Sequence, residues 1–161
     1  MLRAFLNTSH HLQHHLRTLS TSAKQFADAT EIQPHTRKAI SEMFTPTAEM
    51  TDIQAETLQP GLRGDDILAR ARTGTGKTVA FLIPALQNLQ GVNKVEVLCV
   101  SPTRELATQI SDQASKMLKY HSKKPKVQTL FGGTIKPKRD TSLFKSTKPS
   151  VLVATPGRLM R

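Results

Sequence analysis

The 161-residue chain has one cysteine and no tryptophan. A lone Cys99 excludes a disulfide framework and a cysteine-ligated zinc cluster. Its place in the apolar run 95–100 suits a small buried hydrophobe. Long apolar runs are missing too: the longest, residues 79–86, includes Pro84 and falls well short of the ~20 residues a bilayer-spanning helix needs. Membrane insertion is not expected. Acids are scarce, 12 Asp or Glu against 23 Lys or Arg, for a net charge of +11. Between Lys116 and Lys148 ten basic residues meet a single acid, Asp140. Such a block can be a solvated face, a contact for nucleic-acid phosphates or one for an anionic membrane surface. Aromatics make up only 4% of residues and do not interleave the block, so base stacking is not indicated. A nucleic-acid contact here would be made to phosphates and would weaken with salt.

No acid precedes Asp28. Over residues 1–25 the charges are Arg3, Arg17 and Lys24, and Leu2, Phe5, Leu6, Leu12, Leu16 and Leu19 recur at helical spacing. Thr18, Ser20, Thr21 and Ser22 add hydroxyls. A basic, acid-free, hydroxylated and amphipathic start has the character of a mitochondrial transit peptide, and the matrix is the expected address. A secretory signal would need a continuous apolar stretch, which is lacking; a disordered cytosolic tail is the alternative. His10, His11, His14 and His15 have i, i+4 spacing, but no carboxylate or cysteine completes a metal set.

The remainder alternates. Pro34 suits the first turn of a helix to about residue 44, with Ile40, Met43 and Phe44 on one face. Thr51-Asp52-Ile53-Gln54 fits a capping box and starts a second short helix. Pro60-Gly61 and Gly64-Asp65 read as punctuation before a short buried strand ending at Ile67-Leu68-Ala69. Residues 79–90 form an amphipathic helix that Pro84 should kink or shorten. A strand at 95–100 is followed by a helix over 103–120 with Leu106, Ile110, Ala114, Met117 and Leu118 as its buried stripe. A strand at 127–131, a polar helical stretch to Phe144 and a strand at 150–154 complete the pattern. Strands alternating with helices imply an α/β fold, a parallel sheet covered on both faces, with ligands beyond the carboxyl ends of the strands.

Between the expected strand and helix lies ARTGTGKT, residues 71–78. Loop N–H groups and a helix N-terminus make an anion hole there, and Gly74 and Gly76 permit positive φ and close backbone approach. Lys77 can reach β- and γ-phosphates, and the Thr78 hydroxyl can ligate Mg²⁺. Ala71 stands where a P-loop often has its first glycine. A nucleoside triphosphate site follows.

The strand-end loops read, in order, ARTGTGKT (71–78), PTRELA (102–107), GG (132–133) and TPGRL (155–159). As an ordered set they resemble the amino-terminal RecA-like domain of the DEAD-box RNA helicases, over about residues 26–161, and the mitochondrial address makes the chain look like the mitochondrial branch of that family. The resemblance divides the chain into an address (1–25), a Q-motif region (26–58) and part of a RecA-like P-loop domain (59–161), incomplete at its carboxyl end. It implies an ATP-dependent RNA helicase acting in RNA unwinding or remodelling, with intron splicing among the family's mitochondrial roles. Gln54 then corresponds to the glutamine that reads adenine, and Phe26 to the upstream aromatic that packs on it. Thr73, Gly74, Thr75, Gly76, Lys77 and Thr78 would hold ATP and Mg²⁺, with Lys77 and Thr78 the catalytic pair. Pro102, Thr103, Arg104, Gly132, Gly133, Thr155, Pro156, Gly157 and Arg158 would grip the RNA backbone; glycines admit close approach, while Thr hydroxyls and Arg forks bind phosphate oxygens. Arg104-Glu105 also reads as an exposed helix-start pair. Met50-Thr51 replaces the family's usual Pro-Thr but keeps the hydroxyl.

The same resemblance exposes a further lack. The acidic D-E-A-D and the S-A-T motifs, whose strands lie beside the P-loop strand in this family, do not occur, nor does the second RecA-like domain that supplies arginine fingers. Phosphoryl transfer needs metal, nucleophile and arginine together. The 161 residues alone are therefore expected to release no phosphate from ATP, to be marginally stable and to leave strand edges unpaired. A non-catalytic nucleotide- or RNA-binding module is the competing reading. Another P-loop NTPase, a transporter ATPase or small GTPase, is disfavoured by PTRELA, TPGRL and Gln54.

Overall fold

The computed structural model describes residues 25–45, 47–91, 94–132, 142, 144, 146 and 148–160. The address expected over residues 1–25 lies outside them except for Gln25. Helix α1 spans Pro34–Met43, α2 Asp52–Arg63 and α3 Lys77–Gln87. Strand β1 covers Val97–Val100, α4 Arg104–Met117, β2 Val127–Leu130, β3 Val151–Ala154 and the single turn α5 Pro156–Leu159.

Local chemistry sets most of these ends. Pro34 opens α1 with its fixed φ, where no intrahelical N–H is needed. The capping box at Thr51 forms, with the Thr51 N–H donating to Gln54 Oε1 at 2.9 Å. Gly64, at φ 81°, ends α2 in the left-handed region. Thr103 caps α4, its hydroxyl accepting from the Leu106 N–H at 3.2 Å.

The strands form a parallel sheet in the order β1-β3-β2. Val97, Val151 and Val127 stand in one row, and Cys99, Val153 and Thr129 in another. Residues two apart share a face, so these rows lie together on the face that packs against α4. Thr129 Oγ1 donates to Ser111 Oγ of α4 at 2.9 Å. Cys99 is buried there as expected, and desolvation pushes its thiol pKa up. The other face is closed at β3, where Leu152 and Ala154 are buried. At β1 it is open: Leu98 and Val100 are 46% and 53% exposed. Cover on both faces therefore holds for the central strand and not for the β1 edge.

Three expectations need correction. Residues 65–72 carry no strand, and Leu68 is fully exposed. A strand exists only beside a partner's row of N–H and C=O groups, and none of the described strands pairs with this segment. Pro60-Gly61 is not a turn but lies inside α2. Helix α3 carries Pro84 inside it as expected and ends at Gln87, shortened relative to residue 90. In α4 the buried stripe passes through Ala107, Ile110, Ala114 and Met117, while Leu106 is exposed. The polar helical stretch lies mainly outside the described residues, but Ser142, Phe144 and Ser146 are helical.

A polar seam joins the ends of α1, α3 and α4. Gln87 of α3 is buried; its Oε1 accepts from the Gln33 N–H at 3.1 Å and its Nε2 donates to Glu31 O at 2.5 Å. His35 of α1 meets His121, beyond α4, edge to face at 4.6 Å.

Candidate nucleotide and nucleic-acid site

The glycine loop curls around its own lysine. Gly74 and Gly76 sit at φ 80° and 77°, conformations that a side chain would strain. Gly76 is the N-cap of α3, and Lys77 its first residue. Lys77 Nζ donates to Ala71 O at 2.7 Å and to Arg72 O at 2.5 Å. Thr75 Oγ1 donates to Arg72 O at 2.9 Å. An ammonium held by two loop carbonyls, at the positive end of a helix, is placed to exchange those acceptors for phosphate oxygens.

The Q-motif residues hold this loop from the side. Gln54, only 5% exposed, donates from Nε2 to Gly76 O at 3.2 Å while its Oε1 takes the Thr51 N–H. The Thr51 hydroxyl donates to Thr75 O at 2.8 Å. One glutamine thus caps α2 and braces the loop at once, and each amide end keeps capacity for one further hydrogen bond. A Cβ on Gly76 would fall on Gln54 Nε2. The hydroxyl retained in Met50-Thr51 is what ties the capping box to the loop.

Phe26 lies in the apolar core. Its ring is 6% exposed and stacks on Phe44 at 6.2 Å with the planes 8° apart. Gln25 pairs with Glu49, and the Phe26 N–H donates to Ala48 O at 3.2 Å, folding the segment back on itself. The aromatic ring gains more from the apolar core than from water, and Phe44 covers one of its faces.

Behind the loop a largely apolar cleft of about 580 Å³ is lined by α2, α3 and the start of α4. Lys77 and Thr78 share its wall with Ile53, Ile67, Phe81 and Leu106. A second cleft of about 480 Å³ lies at the carboxyl ends of the strands. Pro102, Thr103, Arg104, Gly132, Thr155, Pro156 and Gly157 line it together, from three loops distant in sequence. Arg158 belongs to α5 at the same strand end, and Gly133 lies outside the described residues. The loops are tied at their bases, Ser101 N–H to Ala154 O at 2.9 Å and Thr155 N–H to Leu130 O at 3.0 Å. Glu105 also lines the cleft; its place in the first turn of α4 was legible as a helix-start residue and not as a wall. Ser101, 1% exposed, donates from Oγ to Thr103 O at 3.2 Å and stiffens the α4 entry. No periodicity marked it, since it is a lone serine after an apolar strand.

Among the described residues no group of three or more His, Cys, Asp or Glu could hold a metal ion. No described helix is long and apolar enough to cross a membrane.

A parallel α/β sheet with a lysine-bearing glycine loop at a helix N-terminus defines a P-loop domain. The family model described as DEAD/DEAH box helicase matches residues 51–161, and the chain belongs to that family. It is 44% identical over 135 residues to DEAD-box ATP-dependent RNA helicase 26 of Oryza sativa subsp. japonica, covering 82% of this chain and 24% of that protein. The solved structure of Mss116p (NTE and C-tail double deletion) bound to ssRNA and AMP-PNP matches with a TM-score of 0.76 at 33% identity, over 87% of this chain and 29% of that one. A hypothetical ATP-dependent RNA helicase from Sulfolobus tokodaii matches with a TM-score of 0.65 at 32% identity, over 78% and 34%. The fold is RecA-like, and the chain spans about a quarter of the length of the rice relative.

Proposed function

We propose that these residues form the nucleotide- and RNA-gripping part of an ATP-dependent RNA helicase working in the mitochondrial matrix, with RNA remodelling such as intron splicing as its task. The observation that carries this reading is the gathering of Thr103, Arg104, Gly132, Thr155 and Gly157 around one strand-end cleft in a domain whose α3 also presents a triphosphate loop. Glycine backbone, threonine hydroxyls and an arginine fork suit sugar-phosphate rather than base edges. The address rests on the composition of residues 1–25 alone.

Thr73 to Thr78 would hold the triphosphate, and Gln54 would favour adenine. Mg²⁺ usually keeps only one or two protein oxygens and takes the rest from phosphates and water. The Thr78 hydroxyl fits that donor set, and the ion would neutralise phosphate charge there. Helicase activity would further require the acidic motif and a second RecA-like domain, neither of them present among these 161 residues.

Fluorescent-ATP titration and single-stranded RNA binding across a salt series test the assignment. ATP should be preferred to GTP, Lys77→Ala should abolish nucleotide binding, and RNA affinity should fall steeply with salt. Arg104→Ala should weaken RNA binding uniformly across sequences and lower the salt slope by about 0.7–1. Equal affinity for GTP, or a salt-independent RNA affinity, refutes the reading.

A further inference from the structure

We propose that Gly61 is a positioning residue for the ATP loop: by letting Pro84 close onto α2, it seats Gln54 against Gly76 two helical turns away. The proposal rests on the reading of residues 73–78 as an ATP site.

Two residues that each weaken a helix face one another here. Gly61 lies inside α2 without a positive φ, so its backbone does not demand glycine, and alanine there would favour the helix. Pro84 lies inside α3, where it removes a hydrogen bond. Their contact explains both. A Cβ at Gly61 would stand 2.8 Å from Pro84 Cγ and 2.9 Å from Pro84 Cβ, well inside the ~3.5–4.0 Å at which carbons pack. The pyrrolidine ring cannot rotate out of the way, because it is locked to its own backbone.

Gln54, Leu58 and Gly61 share one stripe of α2 at i, i+4 and i+7. On α3, Lys77, Ala80 and Pro84 share another. Gln54 meets Gly76 at one end and Gly61 meets Pro84 at the other, so the helices run side by side in the same sense. Both contact points are about 10–12 Å apart along their helices, at 1.5 Å per residue. Spreading the Gly61 end therefore pulls on the Gln54 end, where a 3.2 Å amide–carbonyl bond and the 2.8 Å Thr51–Thr75 bond hold the loop.

The test compares the intact chain with Gly61→Ala and with the double variant Gly61→Ala/Pro84→Gly, which moves the small residue across the seam. Gly61→Ala should weaken ATP binding about five- to tenfold, the loss of about one hydrogen bond. It should also narrow the ATP-over-GTP preference and speed amide exchange of Thr51 in the nucleotide-free protein. The double variant should restore all three. A folded Gly61→Ala with wild-type affinity and wild-type Thr51 exchange overturns the proposal, as does a double variant no better than the single one. If Gly61→Ala does not fold, the double variant must fold and bind as wild type does, or the proposal fails. A wild-type chain that binds no ATP sinks the reading of the loop instead, and the exchange measurement still judges the positioning.

Discussion

Replacing Gln54 by alanine cuts two links at once, and the two can be separated. The lost acceptor leaves the Thr51 N–H without its 2.9 Å partner at the start of α2, a capping defect of about 1 kcal/mol. The lost donor leaves Gly76 O without its 3.2 Å partner, a further ~1 kcal/mol for a hydrogen bond at this buried side chain. A loss of about 2 kcal/mol in a chain of this size lowers Tm by about 4–8 °C. Gln54→Glu keeps the cap acceptor and adds a carboxylate to the first turn of α2, which the helix dipole favours. The same carboxylate faces the Gly76 carbonyl and cannot donate to it. Its Tm should therefore drop by only about 2–4 °C, while both variants bind fluorescent ATP more weakly. Circular-dichroism melting and nucleotide titration give the two readouts. If Gln54→Glu melts as low as Gln54→Ala, the capping half of the reasoning is wrong. If either variant binds ATP as tightly as wild type, the brace on the loop is wrong.

Gly76→Ala forces a Cβ onto Gln54 Nε2 and onto a backbone at φ 77°, so it should cost about 1–3 kcal/mol and abolish nucleotide binding; wild-type stability by urea denaturation would count against the described loop. Acid should weaken the fold through the histidine seam. Burial first, then the charge of His121, holds the His35 pKa below the ordinary imidazole value. Burial first, then Lys123, does the same for His121, against the Leu89 carbonyl and Glu96, which pull it up. The unfolded chain then binds more protons below about pH 6.5, so stability is full above that pH and declines as pH falls toward the depressed folded values. Urea midpoints at pH 7.5 and 5.5 should differ, and His35→Phe should reduce the difference; an unchanged difference refutes the assignment.

Features set by neighbours a few residues apart were legible. The capping box at Thr51, the Pro34 start of α1 and the positive φ of Gly74 and Gly76 all follow from residue chemistry within one turn. Features that depend on a distant partner were misread. Residues 67–69 have strand composition, yet no described strand pairs with them. Pro60-Gly61 has turn composition, but capping and the packing of α2 on α3 outweigh it. Leu106 and Ala107 differ by one position in the helical stripe, and the sheet's placement chose alanine for the interior.

The sequence by itself determined the chemistry on offer: a lysine and glycine loop for phosphate, a glutamine three residues after a capping threonine, and hydroxyls, glycines and an arginine at strand ends. These follow from composition and short spacing, where the backbone has few choices. Only the tertiary structure decided which of them meet. The order β1-β3-β2 brings residues 102–105, 132 and 155–157 to one cleft, and the close approach of α2 to α3 sets Gln54 on Gly76. Strand order and helix separation arise from non-local burial and pairing, which no window of the chain records.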